Sequence, residues 1–176
     1  MTKNISCIIK GHNSSITTGK NSTDQDCNCR NKAECPMDGK CRAKSTIYKC
    51  IVSSEGDPNK VYLGVCEGEW KTRFSNHKKS FNHRIYQKET SLSKYVWELK
   101  DAGKMPLFKW SIVKRIPAYS NISKRCLLCL SEKLMILTYE HQRELLNKRA
   151  ELTSKCRHEN KFLLKNYKFK DKHLGN

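Results

Sequence analysis

Short β-forming runs and helically spaced apolar residues alternate through the middle of the chain. Residues 46–52 set Ile47, Cys50 and Ile51 among β-formers, and residues 61–65 make a second run of the same kind. Between them Glu55-Gly56-Asp57-Pro58-Asn59 is a turn cluster, so the two runs predict a β-hairpin with a long loop. Trp70, Phe74, His77 and Phe81 then recur at spacings of three and four, which predicts one face of a helix from about 69 to 82, with Arg73 sharing part of that face. Thr90 or Ser91 suits the N-cap of a second helix carrying Leu92, Tyr95, Val96 and Leu99, which Gly103 ends. Residues 108–112 alternate apolar and polar as a third strand, and Pro117 closes off its extension. Residues 127–137 are apolar enough for a buried helix, and 140–152, with Leu145, Leu146 and Leu152, predict one more. The expected order is β-β-α-α-β-α-α. Because its first two strands are hairpin-linked, this is an α+β chain with a small three-stranded antiparallel sheet flanked by helices.

Outside this body the pattern changes. Residues 1–26 are rich in Asn, Ser, Thr and Lys and read as a flexible linker or arm. Residues 27–45 form a cysteine-rich segment whose Pro36 and Gly39 suit a tight loop around an ion. The folded domain is expected over 46–160, and 161–176 is a basic tail. Nothing repeats at a fixed period, which excludes solenoids and propellers.

Charge adds the class of partner. Thirty-five Lys and Arg against 17 Asp and Glu leave a formal +18 spread along most of the 176 residues, a surface suited to a polyanion. No run approaches the roughly 18 apolar residues of a membrane-spanning helix, so no membrane partner is expected. Residues 1–11 lack the apolar core of a signal peptide, since Cys7-Ile8-Ile9 is flanked by Ser6 and Lys10; this predicts an intracellular chain.

In a reducing compartment, ten cysteines read more naturally as metal ligands than as a disulfide framework. Cys126-x-x-Cys129 and the later Cys156-x-His158 supply four ligands for a tetrahedral Zn²⁺, with His141 a possible substitute. Cys27, Cys29, Cys35 and Cys41 offer a second set. The alternatives are buried free thiols or disulfides for the first set and a redox-labile or disulfide loop for the second. Cys50 and Cys66 read as core thiols, and Cys7 has no convincing partners. In the tail, Lys161, Lys165, Lys168 and Lys170 interleave with Phe162, Tyr167 and Phe169, a composition suited either to gripping a single strand or to a basic helix packed on the body.

Thr46-Ile47-Tyr48 and Tyr62-Leu63-Gly64, followed by Arg73 and His77, resemble the two signatures and the basic helical pair of the GIY-YIG endonuclease family. Thr46 stands where the family has Gly, and Leu63 where it has Ile. Glu132 matches the family's metal-binding glutamate and Asn147 its late asparagine. The stretches 92–100, 126–133, 146–149 and 156–158 narrow the resemblance to the endonuclease domain of Penelope-like retroelements. The resemblance implies the GIY-YIG fold, nicking of double-stranded DNA in the nucleus to prime retroelement integration, and catalytic Mg²⁺ or Mn²⁺. It also implies retroelement RNA as a partner, reached through a fused reverse transcriptase not contained in this sequence.

Phosphodiester hydrolysis requires a base to activate water, cations to stabilise charge on phosphorus, and help for the departing 3′ oxygen. Tyr48 is a candidate base if cations such as Lys49, Arg73 or His77 draw its phenol below its ordinary pKa of about 10, and Tyr62 is the alternative. Arg73 suits clamping of the non-bridging oxygens with its planar fork, His77 bonding a phosphate or positioning a tyrosine, Glu132 holding one divalent ion, and Asn147 bracing the site. Two other functions fit the composition: a zinc-containing nucleic-acid-binding module that no longer cuts, and a basic disulfide-bonded interaction protein.

Overall fold

The computed structural model describes residues 26–120, 126–148, 156 and 158. The chain divides between Arg42 and Ala43 into two compact units. In the larger unit the elements are β1 (Thr46–Ser54), β2 (Asp57–Cys66), α1 (Trp70–Asn82), a 3₁₀ turn (Arg84–Tyr86), α2 (Ser91–Asp101), β3 (Leu107–Arg115) and α3 (Leu127–Leu137). This is the expected α+β architecture: one three-stranded antiparallel sheet in the order β2-β1-β3, with helices around it.

The hairpin is tighter than the turn cluster suggested. Ser54 pairs with Asp57, so two residues reverse the chain, and Gly56 adopts the φ of +75° that favours glycine. Pro58 and Asn59 belong to β2, an outer strand of the sheet, where a residue without an N–H is tolerated.

The central strand β1 is covered on both faces. On one side Ile47 packs with Ile116, Cys126, Leu128 and Cys156, and Leu63 of β2 packs with Ile136 of α3. On the other, Tyr48, Tyr62 and Trp110 meet an aromatic face of α1 made by Trp70, Phe74 and His77. The spacing that predicted α1 is therefore a packing stripe that also carries a histidine. At the N-terminus of α2, Thr90 Oγ1 accepts from Ser93 N and Ser93 Oγ accepts from Thr90 N, a reciprocal capping box. Trp97 Nε1 and Lys100 Nζ of α2 donate to the Ser80 and Phe81 carbonyls, which ties α2 to the last turns of α1.

The helix expected over 140–152 does not form in its described part. Residues 144–147 instead run along the outer edge of β2. Val61 N donates to Glu144 O at 2.8 Å, Leu146 N donates to Val61 O at 2.7 Å, and Leu145 makes a parallel bridge with Val61. One step further on, the Asn147 side chain takes over the pairing: its Oδ1 accepts from Leu63 N and its Nδ2 donates to Leu63 O, both at 2.8 Å. Leu145 packs against the Leu63 and Ile136 cluster. A helix would leave this stretch of β2 with unmet donors and acceptors, so edge pairing outweighs the local helical spacing. Asn147→Ala removes both bonds to Leu63 and is expected to destabilise the fold by about 1–3 kcal/mol, measured as a lower urea midpoint with unchanged m-value.

Candidate active site and metal centres

Tyr48 extends from the central strand into the layer between sheet and α1, where it is fully buried. Its register partner on β2 is Gly64. A Cβ at Gly64 would lie 2.5 Å from Tyr48 Oη, 2.6 Å from its Cζ and 3.0 Å from a Tyr62 ring carbon. The glycine of the second tyrosine-bearing run is thus the space the first tyrosine occupies.

One turn apart on α1, Arg73 and His77 both reach the Tyr48 hydroxyl. Arg73 Nε donates to it at 3.1 Å, and His77 Nε2 lies 2.7 Å away. Burial pushes the His77 imidazolium down to about 3, and the Arg73 charge adds to the effect. His77 is therefore neutral at physiological pH; Tyr48 accepts from Arg73, and in the tautomer with its hydrogen on Nδ1 His77 offers Nε2 to the Tyr48 hydroxyl proton. Tyr62 stands beside this pair, with ring centroids 6.4 Å from Tyr48 and 6.1 Å from His77.

The idea that cationic neighbours bring Tyr48 into ionisable range is corrected by this geometry. Burial raises the phenol above its ordinary value, the Arg73 charge and hydrogen bond only partly oppose it, and the Glu132 charge raises it further. Tyr48 is a neutral linker between Arg73 and His77.

Beside β2 opens a cleft of about 820 Å³ lined by Tyr62, Arg73, Glu132, Lys133 and Lys148 among others. Tyr48 and His77 do not line it. Five of the six residues expected to carry chemistry fall into two tiers: Tyr62, Arg73 and Glu132 at the cleft, and Tyr48 and His77 behind them. Asn147 is engaged on the backbone of Leu63, next to Tyr62.

His77 gives the fold an acid-sensitive element. Its folded pKa lies below its unfolded value, so between about pH 6.5 and 3 the unfolded chain binds a proton that the folded chain refuses, and stability falls as pH falls through this window. His77→Gln keeps an acceptor for Tyr48 but does not titrate. It is expected to lose less stability than the wild type between pH 7 and 4, measured by urea unfolding across that range.

The described residues contain two groups of cysteines able to hold a metal ion such as zinc. In the smaller unit, the Cys27, Cys29, Cys35 and Cys41 sulfurs all lie within 4.8 Å of one another. Cys41 Sγ is 3.6 Å from both Cys29 Sγ and Cys27 Sγ. Four sulfurs about 2.3 Å from a tetrahedral zinc stand roughly 3.8 Å apart, so this spacing suits the ion. The Cys29 N–H, 3.4 Å from Cys27 Sγ, helps to pull that thiol down to about 7. The loop is closed by Arg42 N donating to Asp26 O at 2.8 Å and turns through Asp38 and Gly39, both at positive φ.

In the larger unit, the Cys126, Cys129 and Cys156 sulfurs gather within 4.8 Å. Cys126 is the N-cap residue of α3 and Cys129 lies in its first turn, so the helix start supplies two thiols and Cys156 returns from beyond the β2 edge segment with a third. His158 Nδ1 is 3.1 Å from Cys156 Sγ. Neither His158 nor His141 is in the group: of the three thiols His158 reaches Cys156 alone, and the His141 carbonyl accepts from Glu144 N in the turn before the edge segment. All nine described cysteines are free, and Cys50 and Cys66 are buried as expected of core thiols. Cys7, Lys161, Lys165, Lys168 and Lys170 lie outside the described residues.

Sequence reasoning missed Glu67. Its Oε1 lies 3.0 Å from His158 Nε2, and an isolated acid between Cys66 and Gly68 carries no spacing signal that would have marked it. No protein-family model, curated protein or solved structure matches this chain.

Proposed function

We propose that the chain is a metal-dependent DNA endonuclease of GIY-YIG type that nicks target DNA by hydrolysing a phosphodiester. The observation that carries this reading is the convergence of Tyr62, Arg73 and Glu132 on one cleft, backed by the Tyr48 and His77 pair. Tyr62 is the tyrosine at the cleft wall and takes the role of water-activating base. Arg73 spends its Nε on Tyr48, which fixes the guanidinium plane and presents the terminal nitrogens to the non-bridging oxygens of a phosphate.

Glu132 is the residue that would hold a divalent ion, Mg²⁺ or Mn²⁺. Its carboxylate lines the cleft with Arg73 and is close enough to act on the Tyr48 phenol, and one carboxylate with retained waters fits the oxygen preference of such an ion. That ion would supply charge stabilisation at the scissile phosphate and the departing oxygen. Asn147 braces the site from behind by holding the β2 backbone beside Tyr62. Cys126, Cys129 and Cys156, with His158 beside Cys156 as the candidate fourth ligand, would hold a structural zinc that ties together the segments carrying Glu132 and Asn147, and Cys27, Cys29, Cys35 and Cys41 would hold a second.

The +18 charge favours double-stranded DNA as the partner. With the resemblance goes the setting of a retroelement nicking module working beside a reverse transcriptase in the nucleus. Purified chain incubated with supercoiled plasmid is expected to produce open circles in Mg²⁺ or Mn²⁺ and none in EDTA. The burial of Tyr48 favours a second reading, a zinc-containing module that binds nucleic acid without cutting it. Plasmid retarded in a gel but never nicked would establish that reading in place of the first.

A further inference from the structure

We propose that Lys133 is a further catalytic residue of the cleft, the acid that gives a proton to the 3′ oxygen as it leaves phosphorus, an assignment that rests on the nuclease reading of the same cleft. The juxtaposition that carries it is a lysine buried on the side of α3 that bears Glu132, at the wall of the cleft that Arg73 enters from α1.

Among the described residues Lys133 is the only lysine or arginine that is buried, with 4% of its surface exposed. For stability alone its helix is patterned the wrong way round. Leu127, Leu134 and Leu137 are exposed, Leu134 to 58%, while the lysine beside Leu134 is turned inward. Both halves of this arrangement cost free energy, because a buried ammonium gives up hydration and an exposed leucine forgoes burial. The reverse order at 133 and 134 would suit packing better, so packing does not account for the order found. Breaks of this kind in the hydrophobic pattern belong to side chains with chemical work to do.

The side of α3 that turns inward is the one that meets the cleft. Leu128, Cys129, Glu132 and Lys133 all line it, two neighbouring pairs four residues apart that fall along one side of a helix. Lys88, Lys94 and Lys148 line it too, but these are exposed and suited to holding the DNA backbone at the rim. In the proposed site Tyr62 takes a proton from water, Arg73 neutralises the non-bridging oxygens and Glu132 is the residue for the divalent ion. A guanidinium does not give up its proton and an ionised carboxylate has none to give, so neither can act as the acid. An ammonium carries three N–H donors and can transfer one. The water oxygen bonds to phosphorus as the P–O3′ bond breaks; the bonding pair stays on O3′, which takes a hydrogen from Lys133 Nζ. The water proton passes to the base, and the amine left at Lys133 regains a proton from solvent.

The test uses the full chain in Mn²⁺. Nick positions are first mapped on plasmid, and a duplex of that sequence is made with either oxygen or sulfur as the bridging 3′ atom at the cut. A thiolate departs without being protonated, so the sulfur duplex has no use for an acid. Lys133→Met keeps the length and the apolar stem at the buried position. It is expected to bind the oxygen duplex in EDTA as the wild type does, to cut it about 10²–10⁴-fold more slowly in single turnover, and to cut the sulfur duplex at nearly the wild-type rate. Lys133→Gln should behave alike, whereas Arg73→Ala should be slow on both duplexes, because the oxygens it contacts are present in each. Equal losses on both duplexes, unchanged cutting, or a loss matched by weaker binding would overturn the acid role. Unfolding of both Lys133 variants, read by circular dichroism, would overturn it as well, by making Lys133 a structural residue. A wild-type chain that nicks nothing would overturn the nuclease reading itself, a result distinguishable from these.

Discussion

Arg73→Ala is expected to lower the nicking rate by about 10²–10³-fold, the loss typical of removing one preorganised donor from a developing oxyanion. The effect is large because Arg73 serves both tiers of the site. Its Nε–H steadies Tyr48 in the buried layer, and the same guanidinium lines the cleft that would receive phosphate. Its charge is secure there, because a guanidinium does not give up its proton at any physiological pH and its Nε–H has an acceptor in the Tyr48 oxygen. Arg73→Lys keeps the charge but loses the rigid fork, so it should recover only a small part of the rate. Single-turnover nicking by the three proteins, with circular dichroism to check folding, gives the comparison.

The second large effect is expected from a change of one methyl group. In Gly64→Ala the new Cβ meets the Tyr48 hydroxyl at 2.5 Å, closer than real Cβ contacts allow, and Tyr48 is fully buried with no free volume to retreat into. The ring must leave its bonds to Arg73 and His77, or β1 and β2 must separate. Overpacking of this kind costs about 1–3 kcal/mol, and here it also dismantles the tyrosine, arginine and histidine contact. Gly64→Ala is therefore expected to lower both the unfolding midpoint and nicking. Tyr48→Phe in the same background leaves ring carbon Cζ 2.6 Å from the new methyl and is expected to restore neither stability nor activity.

Much of this architecture can be read from residue spacing. The three- and four-residue recurrence of Trp70, Phe74, His77 and Phe81 marks α1 because packing on a sheet imposes that period. The helix over 127–137 forms as α3 but is not the buried helix its apolar run predicts: Leu128 and Ile136 are covered, while Leu127, Leu134 and Leu137 are exposed. What spacing could not reveal lies in partners distant along the chain. Leu145 and Leu146 fit a helix as well as an edge segment, and the choice is made by β2 groups 84 residues away, which Asn147 completes. Pro58 and Asn59 carry turn chemistry, yet on an outer strand nothing penalises them for extending β2. The tyrosines look alike in sequence, and both are buried against α1; only the fold shows that Tyr62 also lines the cleft and Tyr48 does not. Glu67 was illegible for the same reason, because its partner His158 lies 91 residues further on.

In the proposed nuclease, Glu132 and Arg73 face a phosphodiester across a metal-dependent site. The most direct test incubates supercoiled plasmid with wild type and Glu132→Ala in Mg²⁺, with a zinc-loaded preparation of each and folding checked in parallel. Open circles are expected from the wild type alone, with Glu132→Ala folded, DNA-binding and inactive. Equal nicking by both proteins, or none by either, would contradict this reading.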